Sequence, residues 1–255
     1  VSVEPDPFPA HYAALEARHF AELEFAEVRR ALQALSSLYV ERRDRIAHGQ
    51  ALEGRGKRAA FALYYGPMHF LLVREIVRAL GLAAPARIVD LGCGTGSAGA
   101  AWALERRPPA TVEAVDANGW AVGEARWTLR QLGVPGTATR GDAAAFAPDR
   151  GAGLVAAFTA NELEDPARER LLGRVREAAA AGAPALVVEP ISRRVSPWWP
   201  AWREAFLQAG GREDEWRFRP PLPAKLALLG KAAGLDAREL VGRSLALAAS
   251  PRREA

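Results

Sequence analysis

The 255-residue chain predicts an α/β fold, a mostly parallel sheet with helices on both faces, preceded by an all-helical N-terminal region. Three observations predict it. The first 80 or so residues carry apolar side chains at helical spacing. From Ala86 onward short apolar runs bounded by turn residues alternate with helical stretches, the pattern of strands joined by crossover helices. The first of those runs, "RIVDL", leads straight into "GCGTGSAG", a glycine-rich turn of the kind that follows the first strand of a ligand-binding parallel sheet.

In chain order, "HYAALEARHFAELEFAEVRRALQAL" reads as one helix over 9–33, because Leu15, Phe25, Val28 and Leu32 recur near the helical period in an Ala/Leu/Glu/Arg background. A second helix is expected from Ser36 or Ser37 to Ala47, with "HGQALEGRGKR" loosening into a loop or short helix. Gly66-Pro67 marks a new helix start and Gly81 its end. Strands are expected in "RIVDL", "TVEAVD", "GTATRGD", "GLVAAFT" and "PALVVEP", and helices at 97–107, 119–132 and 165–181. A helix is expected from about Pro197, another over 222–233, and a late strand or edge pair in "RELVGRSLALAA". The organisation expected is a helical region over 1–83, acting as cap or cleft wall, and a ligand-binding domain over 84–255.

Composition bounds the chemistry. Apolar residues make up 49% and charged residues 25%, enough for a packed core. The single cysteine, Cys93, excludes an intrachain disulfide and a Cys-x-x-Cys metal knuckle, and reads as a small packed residue. No apolar run approaches the roughly 18 residues of a membrane span, and "VSVEPDPFPA" lacks the basic-then-apolar order of a signal peptide, so a cytoplasmic protein with no membrane partner is expected. The net charge of +4 is compatible with a nucleic-acid partner, yet it is spread over local pairs such as Arg42-Arg43 and Arg106-Arg107, as on a solvated surface.

The glycine turn decides among cofactors. Gly92, Gly94, Gly96 and Gly99 allow tight torsion angles and close ligand approach. Asp116 ends the next strand, 20 residues after Gly96, where a carboxylate accepts from two ribose hydroxyls. Asp142 closes the third strand and offers an acceptor for an adenine amino group, with Phe146 as a ring neighbour. A P-loop is excluded because no Gly-Lys-Ser/Thr follows. NAD is formally allowed by Gly94, Gly96, Gly99 and Asp116, but Asp90 would put a negative charge near its pyrophosphate. A cofactor bearing an ammonium and a sulfonium is favoured by that same charge.

"VDLGCGTGSAG", "VEAVDAN" and "GDAAAF" together resemble the first three motifs of the class I S-adenosylmethionine-dependent methyltransferases, over residues 86–190. The resemblance implies a Rossmann-like, seven-stranded sheet with S-adenosyl-L-methionine as cofactor. It implies Asp90, Gly92, Cys93, Gly94 and Gly96 beside the methionine part, Asp116 with Ala117 at the ribose, and Asp142 with Ala143 near the adenine. The order "helical N-terminus, YYGPMHF, DLGCGTG, NEL, VVEP" is similar to the Rsm22-like group of methyltransferases associated with the small ribosomal subunit. That group's cysteine-rich segment is replaced here by "RFRPPLPAK", so no iron-sulfur cluster is implied. From this likeness rRNA methylation, or another small-subunit target, is slightly preferred over a small-molecule acceptor or a non-catalytic RNA-binding role.

The loops after the fourth and fifth strands, "FTANELED" and "VVEPISRRVSPWW", should open on the transferred methyl group. The chain lacks Asn-Pro-Pro-Tyr, used on planar amino nitrogens, and the cysteine pair used on pyrimidine carbon. Glu162, His69 and Glu189, in that order, are the candidates for base or orienting group, and Asn161 for a positioning role beside the cofactor. The alternatives are a turn cap before Pro166 for Glu162 and a buried, hydrogen-bonded histidine for His69. Trp202 suits core packing one turn from Trp198, whereas Trp198 or Trp199 could line a pocket. Arg193 and Arg194 could meet a phosphate, and Arg217 and Arg219 could extend a basic rim. A buried Trp198/Trp199 pair and a closed pocket would favour a small-molecule acceptor; a continuous basic face from 42–58 to 193–194 would favour RNA.

Overall fold

A computed structural model describes residues 5–41, 52–146, 151–192, 196–235 and 238–249. Four helical stretches come first: α1 (Phe8–His19), α2 (Phe25–Glu41), α3 (Arg55–Ala60) and α4 (Gly66–Leu80), the last two joined by a π-helical turn, Phe61–Tyr65. Then follow β1 (Arg87–Leu91), α5 (Ser97–Ala103), β2 (Thr111–Asp116), α6 (Gly119–Gln131), β3 (Gly136–Arg140) and β4 (Gly153–Ala157). A 3-10 turn (Ala160–Glu162), α7 (Asp165–Ala180), β5 (Ala185–Glu189), α8 (Trp199–Gln208), β6 (Arg212–Phe218), α9 (Ala224–Ala232) and β7 (Leu240–Leu247) complete the described chain.

The seven strands form one sheet in the order β3-β2-β1-β4-β5-β7-β6. The pairs from β3 to β5 are parallel, and β7 runs antiparallel between β5 and β6. The chain reverses its direction of winding between β1 and β4, the switch point where parallel sheets open a crevice beyond their carboxyl ends. Strand residues divide by the period of two. Ile88, Val155, Leu186 and Val188 belong to one core with α4, α5 and α6. Val89, Leu91, Leu154 and Val187 belong to a second core with α7 and α8. The first core also takes in Phe8, Tyr12 and Leu15 of α1 and Val28 and Leu32 of α2, so the N-terminal helices pack on the sheet-bearing body.

Four expectations need correction. The single helix over 9–33 is two helices parted at 20–24, and α2 runs unbroken through Ser36 and Ser37, so no helix starts there. Its expected end at Ala47 lies outside the described residues. Gly66-Pro67 and Gly81 bound α4 as expected, and the π turn carries α3 directly into it. Pro67 has no N–H and would crowd the carbonyl one α-turn back, and the wider π turn, closed by Gly66 N–H on Phe61 O, removes that conflict. The helix expected over 97–107 stops at Ala103, and β6 occupies a stretch not read as strand. Among the described residues no helix is long and apolar enough to cross a membrane.

Candidate functional site

The site is built on the ends of β1, β2 and β4. After Leu91 the chain turns through Gly92 (φ 70°), Gly94 (φ 51°) and Gly96 (φ 76°), all in the left-handed region that favours glycine. Gly92 and Cys93 N–H both donate to Val115 O, at 2.9 and 3.0 Å, tying the turn to the end of β2. A Cβ on Gly92 would lie 2.2 Å from Thr159 Cγ2, so the turn also fits against the end of β4. The Thr159 hydroxyl completes that junction by donating to Leu91 O at 2.9 Å. Gly99 presses its first helical turn onto Asp90, whose Oδ2 accepts the Gly99 N–H at 2.8 Å.

Two carboxylates flank this turn, Asp90 buried and Asp116 half-buried. Asp90 is 1% exposed, and its Oδ1 has no protein donor. Burial, with a smaller push from Asp116, raises its pKa from 3.8 to about 7 against the pull of the Gly99 N–H. Asp116 accepts from Gly94 N–H at 2.9 Å and Asn118 N–H at 2.7 Å. Burial still raises its pKa, with those two bonds opposing. Asn118 caps α6 by accepting from Trp120 and Ala121 N–H. Cys93 is buried, and burial drives its thiol well above its ordinary range, so it is an inert packed residue here.

A cleft of about 940 Å³ opens at these strand ends, near the upper limit of the roughly 300–1,000 Å³ of ligand pockets. Of the residues read from the sequence, Asp90, Gly92, Cys93, Gly94, Asp116, Ala117, Asp142, Ala143 and Asn161 line it, together with His69, Glu162 and Glu189. Gly96 does not. It is the residue before α5 and packs against Ala125 instead. Asp142 is exposed, accepts Ala144 N–H at 2.8 Å and lies 3.7 Å from Arg170. Phe146, expected beside an adenine ring, packs on the α7/α8 core away from the cleft.

Of the far wall only His69 was read from the sequence. Phe61, Tyr65 and His69 descend from the π turn and α4 onto the cleft. His69 stacks on Phe158 with ring centroids 3.9 Å apart and planes 14° from parallel. It makes no hydrogen bond to another described residue, which corrects the expectation of a hydrogen-bonded histidine. Desolvation pulls its pKa down to about 3, so the ring is neutral. Phe158 is the one non-glycine residue among those described with positive φ, 60°.

Asn161 is held from three sides. Its backbone N–H donates to Glu189 Oε1 at 3.2 Å and its Nδ2 to Glu189 Oε2 at 2.5 Å. Its Oδ1 accepts from the Ser196 hydroxyl at 2.7 Å and Trp198 Nε1 at 3.0 Å. Glu189 is fully buried, with both oxygens turned on Asn161. Glu162 is exposed on the rim and does not cap α7, whose N-cap residue is Glu164.

The tryptophans and arginines divide differently from expectation. Trp198, Trp199 and Trp202 are all buried in the second core, and none lines the cleft. Trp198 contributes its indole N–H and not its ring face. Arg217 lies on β6, and Arg217 and Arg219, both exposed, share the one carboxylate of Glu239. Arg193 and Arg194, like Arg42 and Arg43, lie outside the described residues. Among the described residues no group of three His, Cys, Asp or Glu side chains is placed to hold a metal ion.

A family model described as "Methyltransferase small domain" matches residues 71–156, from within α4 to β4. No curated protein sequence matches the chain. Among solved structures, a candidate O-methyltransferase from Nostoc punctiforme is 15% identical, with 94% of this chain and 72% of that one aligned at a TM-score of 0.51. A candidate RNA methyltransferase from Pyrococcus horikoshii is 14% identical over 72% of this chain and 86% of its own, at 0.48. Magnesium protoporphyrin IX methyltransferase from Synechocystis, solved with bound S-adenosylmethionine, is 16% identical over 72% and 80%, at 0.46. At these identities the likeness is one of fold: the sheet is the Rossmann-like sheet of methyltransferases.

Proposed function

We infer that this chain is an S-adenosylmethionine-dependent methyltransferase whose acceptor is a small molecule held in the cleft beside Asn161. The observation that carries the cofactor half is the orphaned Asp90 Oδ1 on the cleft wall: a buried acceptor with no protein donor suits a cationic ligand and repels a pyrophosphate. Asp116 supports the same reading, since each of its oxygens takes one backbone N–H and keeps a lone pair for a ribose hydroxyl. Asp90 and the Gly92–Gly94 turn would hold the methionine part, Asp116 and Ala117 the ribose, Asp142 and Ala143 the adenine.

When bound, the cofactor supplies an electrophilic methyl carbon: the acceptor's lone pair forms the new bond while the carbon–sulfur pair returns to sulfur, leaving a neutral thioether. The acceptor's proton must then leave. His69 is a poor base, because its pKa of about 3 leaves it little affinity for a proton near neutrality. Glu189 is committed to Asn161, so its role is to orient that amide. Glu162, on the rim, is the side chain suited to pass the proton to water. Most of the rate then comes from holding the reactants in line. From the helical N-terminal region, Leu52, Arg58, Phe61, Tyr65 and His69 supply one wall of the cleft.

The burial of Trp198 and Trp199 supports a small acceptor over rRNA, as does the pairing of Arg217 and Arg219 with Glu239. Calorimetry with S-adenosylmethionine, its demethylated product and NAD tests the cofactor, with Asp116→Ala beside the wild type. Selective binding lost in the variant is expected; equal binding of NAD, or none of the methyl-donor forms, would overturn it. Transfer of labelled methyl to a pool of small metabolites against small-subunit rRNA then tests the acceptor.

A further inference from the structure

Resting on that reading, we propose that the cleft between the Phe158–His69 stack and Asn161 binds the methyl acceptor as a flat, conjugated ring, with a hydrogen-bond-accepting atom turned to the Asn161 amide.

The aromatic wall is built at a cost. A phenylalanine at φ 60° is a strained conformation, tolerated only where its surroundings fix it. Here Phe158 N–H donates to Val188 O at 2.8 Å and the next residue, Thr159, is pinned to β1. The result is a half-buried ring that packs on the edge of the first core and lines the cleft. On the opposite element the π turn adds a residue to the helical run, and Phe61, Tyr65 and His69 follow at intervals of four along the cleft. Their ring centroids lie 5.8 Å (Phe61–Tyr65) and 6.0 Å (Tyr65–His69) apart. Two unusual backbone features, far apart in sequence, thus bring rings to one place.

The polar contact is equally defined. The Asn161 carbonyl accepts two hydrogen bonds and one amide hydrogen goes to Glu189, so the amide cannot flip without losing partners. One N–H is left to donate, and Asn161 lines the cleft. An acceptor with a lone pair there is matched; one that offers only donors is not. The lining arginines, Arg58 and Arg140, stand with Asp116 and Trp120, where they donate to Leu52 O and Ala117 O. Around Asn161 the lining carboxylates are Glu162 and Glu189, each already partnered, and Arg168 donates to Ala160 O beside them.

The test uses the full chain loaded with the demethylated cofactor and three bicyclic probes: 2-naphthol, its saturated counterpart decahydro-2-naphthol, and naphthalene. Stacking on an aromatic face is worth about two- to tenfold per contact. We expect 2-naphthol to bind about tenfold more tightly than decahydro-2-naphthol. Phe158→Leu and His69→Leu should each erode that ratio toward one. Phe158→Gly, in which relief of the strained torsion offsets part of the lost packing, should do the same. Asn161→Ala should remove the preference for 2-naphthol over naphthalene. Equal binding of the flat and saturated alcohols, or a ratio unchanged in all three wall variants, overturns the proposal while cofactor binding leaves the methyltransferase reading standing. Failure of the cofactor itself to bind sinks that reading instead. A small-subunit rRNA hairpin that binds more tightly than 2-naphthol overturns the small-molecule acceptor.

Discussion

Asp90 makes the cofactor-free protein pay for its cofactor site in a way that pH should expose. In the folded chain its carboxyl protonates with a pKa of about 7, against an ordinary value of 3.8, because burial outweighs the single hydrogen bond from Gly99 N–H. Between those values the folded state carries a proton that the unfolded chain has released. Stability therefore falls as pH rises through that window, the reverse of a salt-bridged aspartate. A shift of about three pH units corresponds to an upper limit of about 4 kcal/mol. Cofactor binding should run the other way, since a cation beside Asp90 favours the carboxylate; affinity should drop up to tenfold for each unit below about pH 7. Asp90→Asn keeps an oxygen for the Gly99 N–H and removes the titration. Urea unfolding of cofactor-free wild type and variant from pH 4.5 to 8, with cofactor calorimetry in the same buffers, separates these effects. The variant should gain on the wild type by up to about 4 kcal/mol across the range, on the order of 10 °C in Tm, and its weak cofactor affinity should be flat with pH. The change in the difference with pH carries the test, because His11 and other titrating groups are common to both chains. Parallel stability curves for the two proteins would refute the reasoning.

Asp116→Ala strips an acceptor from Gly94 and Asn118 N–H as well as from the ribose, so cofactor affinity should fall at least 100-fold by calorimetry, about 3 kcal/mol. Gly92→Ala puts a Cβ 2.2 Å from Thr159 Cγ2 at φ 70° and should cost at least about 2 kcal/mol in thermal unfolding; Gly119→Ala, with open space around it, should be neutral or slightly stabilising. Glu124, 1% exposed, ties α6 to Arg18 and His19 of α1. Glu124→Leu should loosen α1 by about 1–3 kcal/mol, read as faster amide exchange over residues 8–19 with little change over β1. Trp198→Phe keeps an aromatic ring in the core and removes the donor to Asn161 Oδ1, so methyl transfer should slow about tenfold while the cofactor still binds.

β1, β4 and β5 were legible because each is an apolar run bounded by turn residues, and the more polar β2 and β3 by their turn boundaries, so the ends of all five agree with the structure to within two residues. β6 was not, because an edge strand need hide only one side. In "REDEWRF" Trp216 and Phe218 pack on the first core while charged neighbours face outward, and the run looks like polar loop. The break at 20–24 has a local sign that the uniform Ala/Leu/Glu/Arg background concealed. Glu27 reaches back to accept Glu24 N–H at 2.8 Å, half of a capping box, and Phe20 stacks on Phe25 across the turn. Helical propensity alone could not place that boundary, because no glycine or proline marks it.

The two halves of the site differ in legibility for a physical reason. A cofactor carried at strand ends is met by backbone, so its determinants are glycines and carboxylates written side by side from Asp90 to Gly94 and at Asp116. The proposed acceptor half is made of side chains that packing assembles: Phe61 and Phe158, which no motif marked, beside His69 and Asn161, with Ser196 and Trp198 behind them. Trp198 shows why residue type misleads there. Its spacing from Trp202 and its apolar bulk commit the ring to the second core, where the two rings meet edge-on at 4.8 Å. A buried indole N–H must still find an acceptor, and the one within reach is Asn161 Oδ1. Core packing therefore fixes the orientation of a cleft amide, and the tryptophan governs the site through one hydrogen bond without entering it.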